Sequence, residues 1–156
     1  MHFSLLYVSE KPSQWAEDAC QSYLKRMPAS FGYTQTRLTP IKRTKNTHIE
    51  TAREQEWQLI LGKIPKHAML VLLDERGKQY TSENFSQQIN NWQHNGQDVA
   101  FIIAGADGVN AEHRKQADFL MALSRLTLPH EMARLFLTEQ LYRGWSILNN
   151  HPYHRI

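Results

Sequence analysis

The sequence predicts an α/β fold, a parallel sheet with helices on both faces. Three observations carry this. Runs that are apolar almost throughout, at residues 68–73 and 98–104, read as strands buried on both sides. Between the strand-like runs lie segments whose apolar residues recur three and four apart, the helix period. The two patterns alternate along the chain with no repeat, low-complexity tract or linker, so the 156 residues read as one domain.

Each element has its own signal. His2 to Val8 is a short apolar strand. Ser13 to Met27 is helical in pattern, with Trp15, Ala19, Tyr23 and Met27 four apart on one face. Residues 31–38 alternate like a strand, and Lys42 to Asn46 is a basic loop. Asn46 is placed to cap a helix reaching about Leu61, with Ile49, Arg53, Trp57 and Ile60 near one stripe and Gly62 at its end. The apolar run 68–73 ends in Asp74-Glu75-Arg76-Gly77. Thr81 then opens a helix whose Phe85, Ile89 and Trp92 face a core. Residues 98–104 end in Gly105-Ala106-Asp107-Gly108. A short helix at 110–117, a fifth strand at 119–123 and a long helix from Pro129 or Glu131 to Leu148 complete the order. Sheets of this class bind ligands beyond the carboxyl ends of their strands. The loops at 73–78, 105–108 and 124–129 are therefore the candidate binding loops.

Composition narrows the chemistry. The single cysteine, Cys20, excludes an internal disulfide and reads as a buried thiol. No apolar run approaches a membrane span and the start lacks a signal-peptide pattern, so a cytoplasmic protein is expected. The net charge is only +3, but it is unevenly spread. Between Lys25 and Arg53, seven cations (Lys25, Arg26, Arg37, Lys42, Arg43, Lys45 and Arg53) meet one acid, Glu50. That excess suits RNA or DNA. No phosphate-loop or dinucleotide glycine fingerprint occurs, no His-Glu-x-x-His metal motif and no nucleophile elbow. No metal is expected. Asp74 and Asp107 stand at strand ends, as acid–base groups or as turn caps. Leu73, Gly105 and the 123–128 stretch offer the apolar walls and close backbone approach that a nucleoside needs.

The chain end is unusual. His151, Pro152, Tyr153, His154 and Arg155 fall within the last six residues. Disordered tails favour other residues, so this one is expected to dock. The helix before it carries Arg134, Glu139, Tyr142, Arg143 and Trp145. Its Leu135, Phe136, Leu141 and Leu148 suit a core or a dimer interface.

Several motifs occur in one order. They are Tyr23-Leu24-Lys25-Arg26, Lys42-Arg43 with Lys45-Asn46, Leu73-Asp74 with Gly77-Lys78, and Asp98-Val99 with 103–108. Leu126-Thr127-Leu128-Pro129-His130, Arg134, Leu141-Tyr142-Arg143 and Asn150-His151-Pro152-Tyr153-His154-Arg155 follow. In these the chain resembles the small bacterial SPOUT-class methyltransferases that modify N3 of a pseudouridine in large-subunit (23S) ribosomal RNA. The resemblance spans the whole chain. It implies a homodimer, a C-terminal trefoil knot and S-adenosylmethionine bound in the knot. By position it assigns cofactor contacts to Leu73, Gly105, Leu123, Ser124, Arg125, Leu126, Thr127 and Leu128. One departure stands out: Ala104-Gly105 occupies the place of two glycines in that family.

The residues fit such chemistry. Methyl transfer from a sulfonium needs alignment and help with a proton, not a metal. His130, Tyr153 and His154 are candidates for the proton. Arg143, with Arg134 and Arg155, could hold phosphates or the developing anion. Tyr142, Trp145 and Tyr153 offer stacking faces. The RNA-binding candidates are Lys25, Arg26, Lys42, Arg43, Lys45, Arg134 and Arg155; the resemblance implies the assembled ribosome as substrate. Two rivals remain at this level: a non-catalytic RNA-binding protein with a vestigial pocket, and a nucleotide-dependent oxidoreductase. The missing glycine fingerprint disfavours the second.

Overall fold

The computed structural model describes residues 1–155; Ile156, the end of the tail, lies outside the described residues. Five strands form one sheet: β1 (Phe3–Val8), β2 (Tyr33–Leu38), β3 (Met69–Gln79), β4 (Val99–Ile103) and β5 (Phe119–Ala122). Their order is β2-β1-β4-β3-β5, and every neighbouring pair is parallel. The helices between them are α1 (Gln14–Leu24), α2 (Ile49–Leu61), α3 (Ser82–Asn95) and α4 (Ala111–Gln116), and α5 (His130–Leu148) follows β5. Parallel neighbours need such crossovers.

The helices divide between the two faces, as the sequence predicts. Phe3, Leu5 and Tyr7 of β1 point with Val71, Phe101 and Ile103 toward Phe85, Ile89 and Trp92 of α3 and Leu137 and Leu141 of α5. Leu6 and Val8 point the other way, with Leu70, Leu72 and Ile102, onto Trp57 and Ile60 of α2. All positions of β1 and β4 are buried, which is why Leu5–Val8 and Val99–Ile103 read as unbroken apolar runs. Each fully buried large apolar side chain is worth about 1.5–3 kcal/mol.

Four expectations are corrected. In α1 the buried row is Ala16 and Cys20; Trp15 is half exposed. With the helix turned this way by one residue, Glu17 reaches Arg134 on α5, 2.7 Å away. Ile49 is likewise exposed, while Ala52 and Glu56 join Trp57 and Ile60 on the buried side of α2. The cap of α2 is His48, not Asn46, because Thr44 and Thr47 close a turn first (Thr47 N–H to Thr44 C=O, 3.1 Å). Finally, the expected 73–78 loop is an irregularity inside β3. The strand breaks register after Leu73 and resumes at Lys78 opposite Met121. Gly77 makes this possible: a Cβ there would lie 2.5 Å from the Leu120 carbonyl carbon and the Met121 nitrogen.

Candidate active site

A cavity of about 450 Å³ opens beyond the carboxyl ends of β4 and β5 and beside the register break in β3. All three candidate loops line it, with Leu73, Gly105, Leu123, Ser124, Leu126, Thr127 and Leu128. Of the expected cofactor contacts, only Arg125 is missing from the lining; it is exposed. Ile103, Met121 and Ala133 add apolar wall, and Ala104 sits in it with its methyl group. The turn at 105–108 is closed by Gly108 N–H donating to the Gly105 carbonyl at 2.9 Å. Gly105 is required there, since a Cβ would meet Glu56 Oε1 at 2.8 Å.

Two carboxylates at this site are already engaged. Asp74 accepts from the Arg76 backbone N–H (2.8 Å) and from Arg114 Nε (2.9 Å). Burial would raise its carboxyl, but those donors outweigh burial and hold it below the usual range. It is a fixed anion rather than a proton carrier. Asp107 accepts from Arg43 Nε and Nη2 at 2.9 and 2.6 Å. Sequence reading missed Arg114 and Glu56 as site residues, because no spacing pattern links α4 or α2 to these loops.

His130, the first residue of α5, lines the main cavity and also a small cleft beside it that Tyr7, Ser9 and Arg134 share. Burial pushes its imidazole below the usual value, and the Val8 backbone only partly reverses this. The ring is therefore neutral near pH 7 and able to accept a proton. Because the folded pKa is depressed, stability linked to His130 is present above the ordinary imidazole value and falls as pH drops below about 6.5. His130→Gln is expected to flatten that part of the stability-versus-pH curve. Proton NMR should show the His130 ring titrating below the ordinary imidazole value of about 6.5; a midpoint at or above that value would refute the assignment.

The other predicted catalytic residues lie away from this cavity within one chain. The tail docks, and within one chain its contacts are mainly with α5. Residues 152–154 form a 3-10 turn, His151 N–H donates to the Ser146 carbonyl (2.9 Å), and His154 Nδ1 lies 2.8 Å from Ser146 Oγ. Tyr153 Oη donates to Glu139 (2.8 Å), and Arg143 pairs with the same carboxylate at 2.7 Å. Burial, then the Tyr23 and Glu139 contacts, push the Tyr153 phenol above its ordinary value. As placed, Tyr153 is a hydrogen-bond donor and not a base.

Two RNA candidates are corrected. Arg134 is buried, donating to Glu17 (2.7 Å) and Gln35 (2.8 Å) over the Tyr7 ring, so it ties α5 to α1 and β2 and cannot reach a phosphate. Arg43 spends its guanidinium on Glu56 and Asp107. Lys25, Lys42, Lys45 and Arg155 are exposed. Arg26 is exposed too but lies over the Tyr23, Tyr142 and Tyr153 rings. Among the described residues, no three His, Cys, Asp or Glu side chains group to hold a metal, and no helix is long and apolar enough to cross a membrane.

A family model described as predicted SPOUT methyltransferase matches residues 1–154. The chain belongs to the SPOUT methyltransferase family. Relatives span its full length. The ribosomal RNA large subunit methyltransferase H of Janthinobacterium sp. (strain Marseille) is 45% identical over 156 residues, all of both chains. That of Herminiimonas arsenicoxydans is 42% identical over the same span. The Neisseria meningitidis serogroup A protein of that name is 44% identical over 155 residues, 99% of each chain. As a SPOUT methyltransferase this protein needs a methyl donor, and the cavity fits a nucleoside-bearing one. Its volume is in the range of small-molecule sites. Its walls mix apolar side chains (Leu73, Ile103, Met121, Leu128) with polar ones (Asp74, Asp107, Ser124, His130), and the backbone N–H groups of Thr127 and Leu128 have no acceptor among the described residues.

Proposed function

We propose that this SPOUT methyltransferase takes a methyl group from S-adenosylmethionine and places it on N3 of a pseudouridine in 23S ribosomal RNA. The observation that carries the reading is the cavity formed by Leu73, the Gly105 turn and residues 123–128, in a chain matched end to end by relatives named for methylating large-subunit ribosomal RNA. Bound there, S-adenosylmethionine would supply an electrophilic methyl group on a sulfonium. The protein's own work is then alignment and proton management. Leu73, Ile103 and Leu128 hold the apolar part of the donor, and the free N–H groups of Thr127 and Leu128 read its base edge. His130, neutral and at the cavity, is the candidate acceptor for the N3 proton.

The reading includes a homodimer whose tail, with Arg143, Tyr153 and His154, closes over the partner's cavity. Exposed Trp15, Phe136 and Leu126 support it; Leu126, at 75% exposure, stands on the cavity rim and calls for cover. The close crossing at Gly77 supports the trefoil knot. Lys25, Lys42, Lys45 and Arg155 form the remaining RNA footprint. So small a footprint favours the assembled ribosome as substrate, in the cytoplasm.

Calorimetric titration with S-adenosylmethionine and S-adenosylhomocysteine, with NADH as control, tests the cofactor. Micromolar binding of an adenosyl ligand and none of NADH is expected, followed by methyl transfer to ribosomes. Binding to ribosomes with neither donor binding nor methyl transfer would instead establish the non-catalytic reading. Ala104→Gly should tighten donor binding if the methyl crowds the site.

A further inference from the structure

Arg43 belongs by sequence to the basic run, yet its guanidinium points inward. Nη1 and Nη2 grip the two Glu56 oxygens at 2.5 and 3.1 Å, Nη1 also meets the Ile41 carbonyl at 2.5 Å, and Nε and Nη2 meet Asp107 Oδ2 at 2.9 and 2.6 Å. Glu56 is only 3% exposed, and its second oxygen also accepts the Ile41 backbone N–H at 2.9 Å. A buried carboxylate of this kind is stable only with partners. Asp107 is the third residue of the turn from Gly105 to Gly108, and that turn is a wall of the cavity. Arg53 holds the same turn from behind, with Nε on the Asp107 carbonyl at 2.9 Å. Gly105 packs directly against Glu56.

We propose that Arg43 is a positioning residue for the methyl-donor site: through Glu56 and Asp107 it fixes the Gly105–Gly108 turn in the shape that binds the donor. It never touches the donor. An arginine is needed because five N–H groups in a rigid fork serve two carboxylates and a carbonyl together; a lysine has one point charge to share among them. The basic loop is thus divided in use, with Lys42 and Lys45 outward for RNA and Arg43 inward for the donor site.

The proposal rests on the S-adenosylmethionine reading, so the test includes a readout independent of the donor. Arg43→Gln and Arg43→Lys are compared with the wild type and with the Lys42→Ala/Lys45→Ala double variant. For both Arg43 variants the donor Kd and KM are expected to rise about tenfold, the loss of one charged hydrogen bond, with kcat changed by less than about threefold. The amide of Gly108 should exchange with solvent faster than in the wild type. The lysine double variant should keep its donor Kd and lose RNA-dependent turnover. An unchanged donor Kd together with unchanged Gly108 exchange would overturn the proposal. So would a fall in kcat at constant KM, which marks lost folded enzyme rather than a misplaced turn. If Arg43→Gln does not fold, Arg43→Gln/Glu56→Gln, which strands no buried carboxylate, takes its place. A wild-type protein that binds no donor would overturn the cofactor reading, and Gly108 exchange alone would then decide the role of Arg43.

Discussion

Gly77→Ala is expected to destabilise the protein by about 3 kcal/mol or more, the upper range for forcing atoms into a packed interior. The added methyl would meet the Leu120 carbonyl carbon and the Met121 nitrogen at 2.5 Å and the Met121 carbonyl carbon at 2.6 Å. These are backbone atoms of β5, held by pairing to β3 on either side of the register break. Neither strand can yield alone, and β5 leads straight into the 123–128 wall of the cavity. Gly62→Ala is the control. Gly62 ends α2 with an ordinary φ of −66°, and the nearest atom to its added methyl is the Gln58 carbonyl oxygen at 3.4 Å. In a domain of this size each kcal/mol moves Tm by about 2–4 °C, so losses near 10 °C for Gly77→Ala and about 3 °C or less for Gly62→Ala are expected. Equal losses would show that the crossing at Gly77 is slack.

How much of this architecture could be read from residues alone depended on which rule governed each part. The strands of the sheet interior were legible because burial on both faces leaves no polar position in Leu5–Val8 or Val99–Ile103. Helix α3 was legible to the residue at its start, because Thr81 Oγ accepts the Asn84 N–H at 3.0 Å, a local capping bond. The face of α1 was not legible. It turns Ala16 and Cys20 inward and brings Glu17 to Arg134, 117 positions away, and no local period records such a contact. The extension of β3 through Gly77 was hidden for the same reason, since its cause is β5.

The site divides along the same line. Its walls at Gly105 and residues 123–128 follow from where strands of a parallel sheet end, so the sequence pointed to these segments, although Arg125 is outside the lining and Leu73 lies within β3. Its supports come from distant elements. Arg114 reaches Asp74 from α4, and Arg43 reaches Asp107 across 64 positions. Charge counting placed Arg43 and Arg134 with the solvent-facing cations because a formula of charges cannot show which of them already have partners.

The tail is where residue type and position diverge most, and it gives the second large effect. Tyr153→Ala/His154→Ala is expected to lower methyl transfer about a hundredfold or more, the scale of losing the alignment of the reacting atoms, with donor Kd nearly unchanged. Ala104→Leu, which puts bulk into the cavity, should abolish donor binding. A dimer joining one chain of each kind separates the two geometries. If the tail serves the partner's cavity, the intact tail of the Ala104→Leu chain meets the intact cavity of the other, and one of two sites works. About half of wild-type turnover per dimer should return, as two-fold symmetry requires. If each tail serves its own cavity, the mixed dimer has no complete site and stays inactive. The position of the tail within one chain favours the first outcome. Tyr153 and Arg143 are anchored on Glu139, His154 on Ser146, and none of the three lines the cavity that begins at the opposite end of α5. Moving them to their own cavity would break those contacts and strand the buried Ser146 hydroxyl. Presenting them to a partner keeps every one, and Ser146→Ala, which frees His154 without touching the cavity, should then cost turnover in the same active site as His154→Ala.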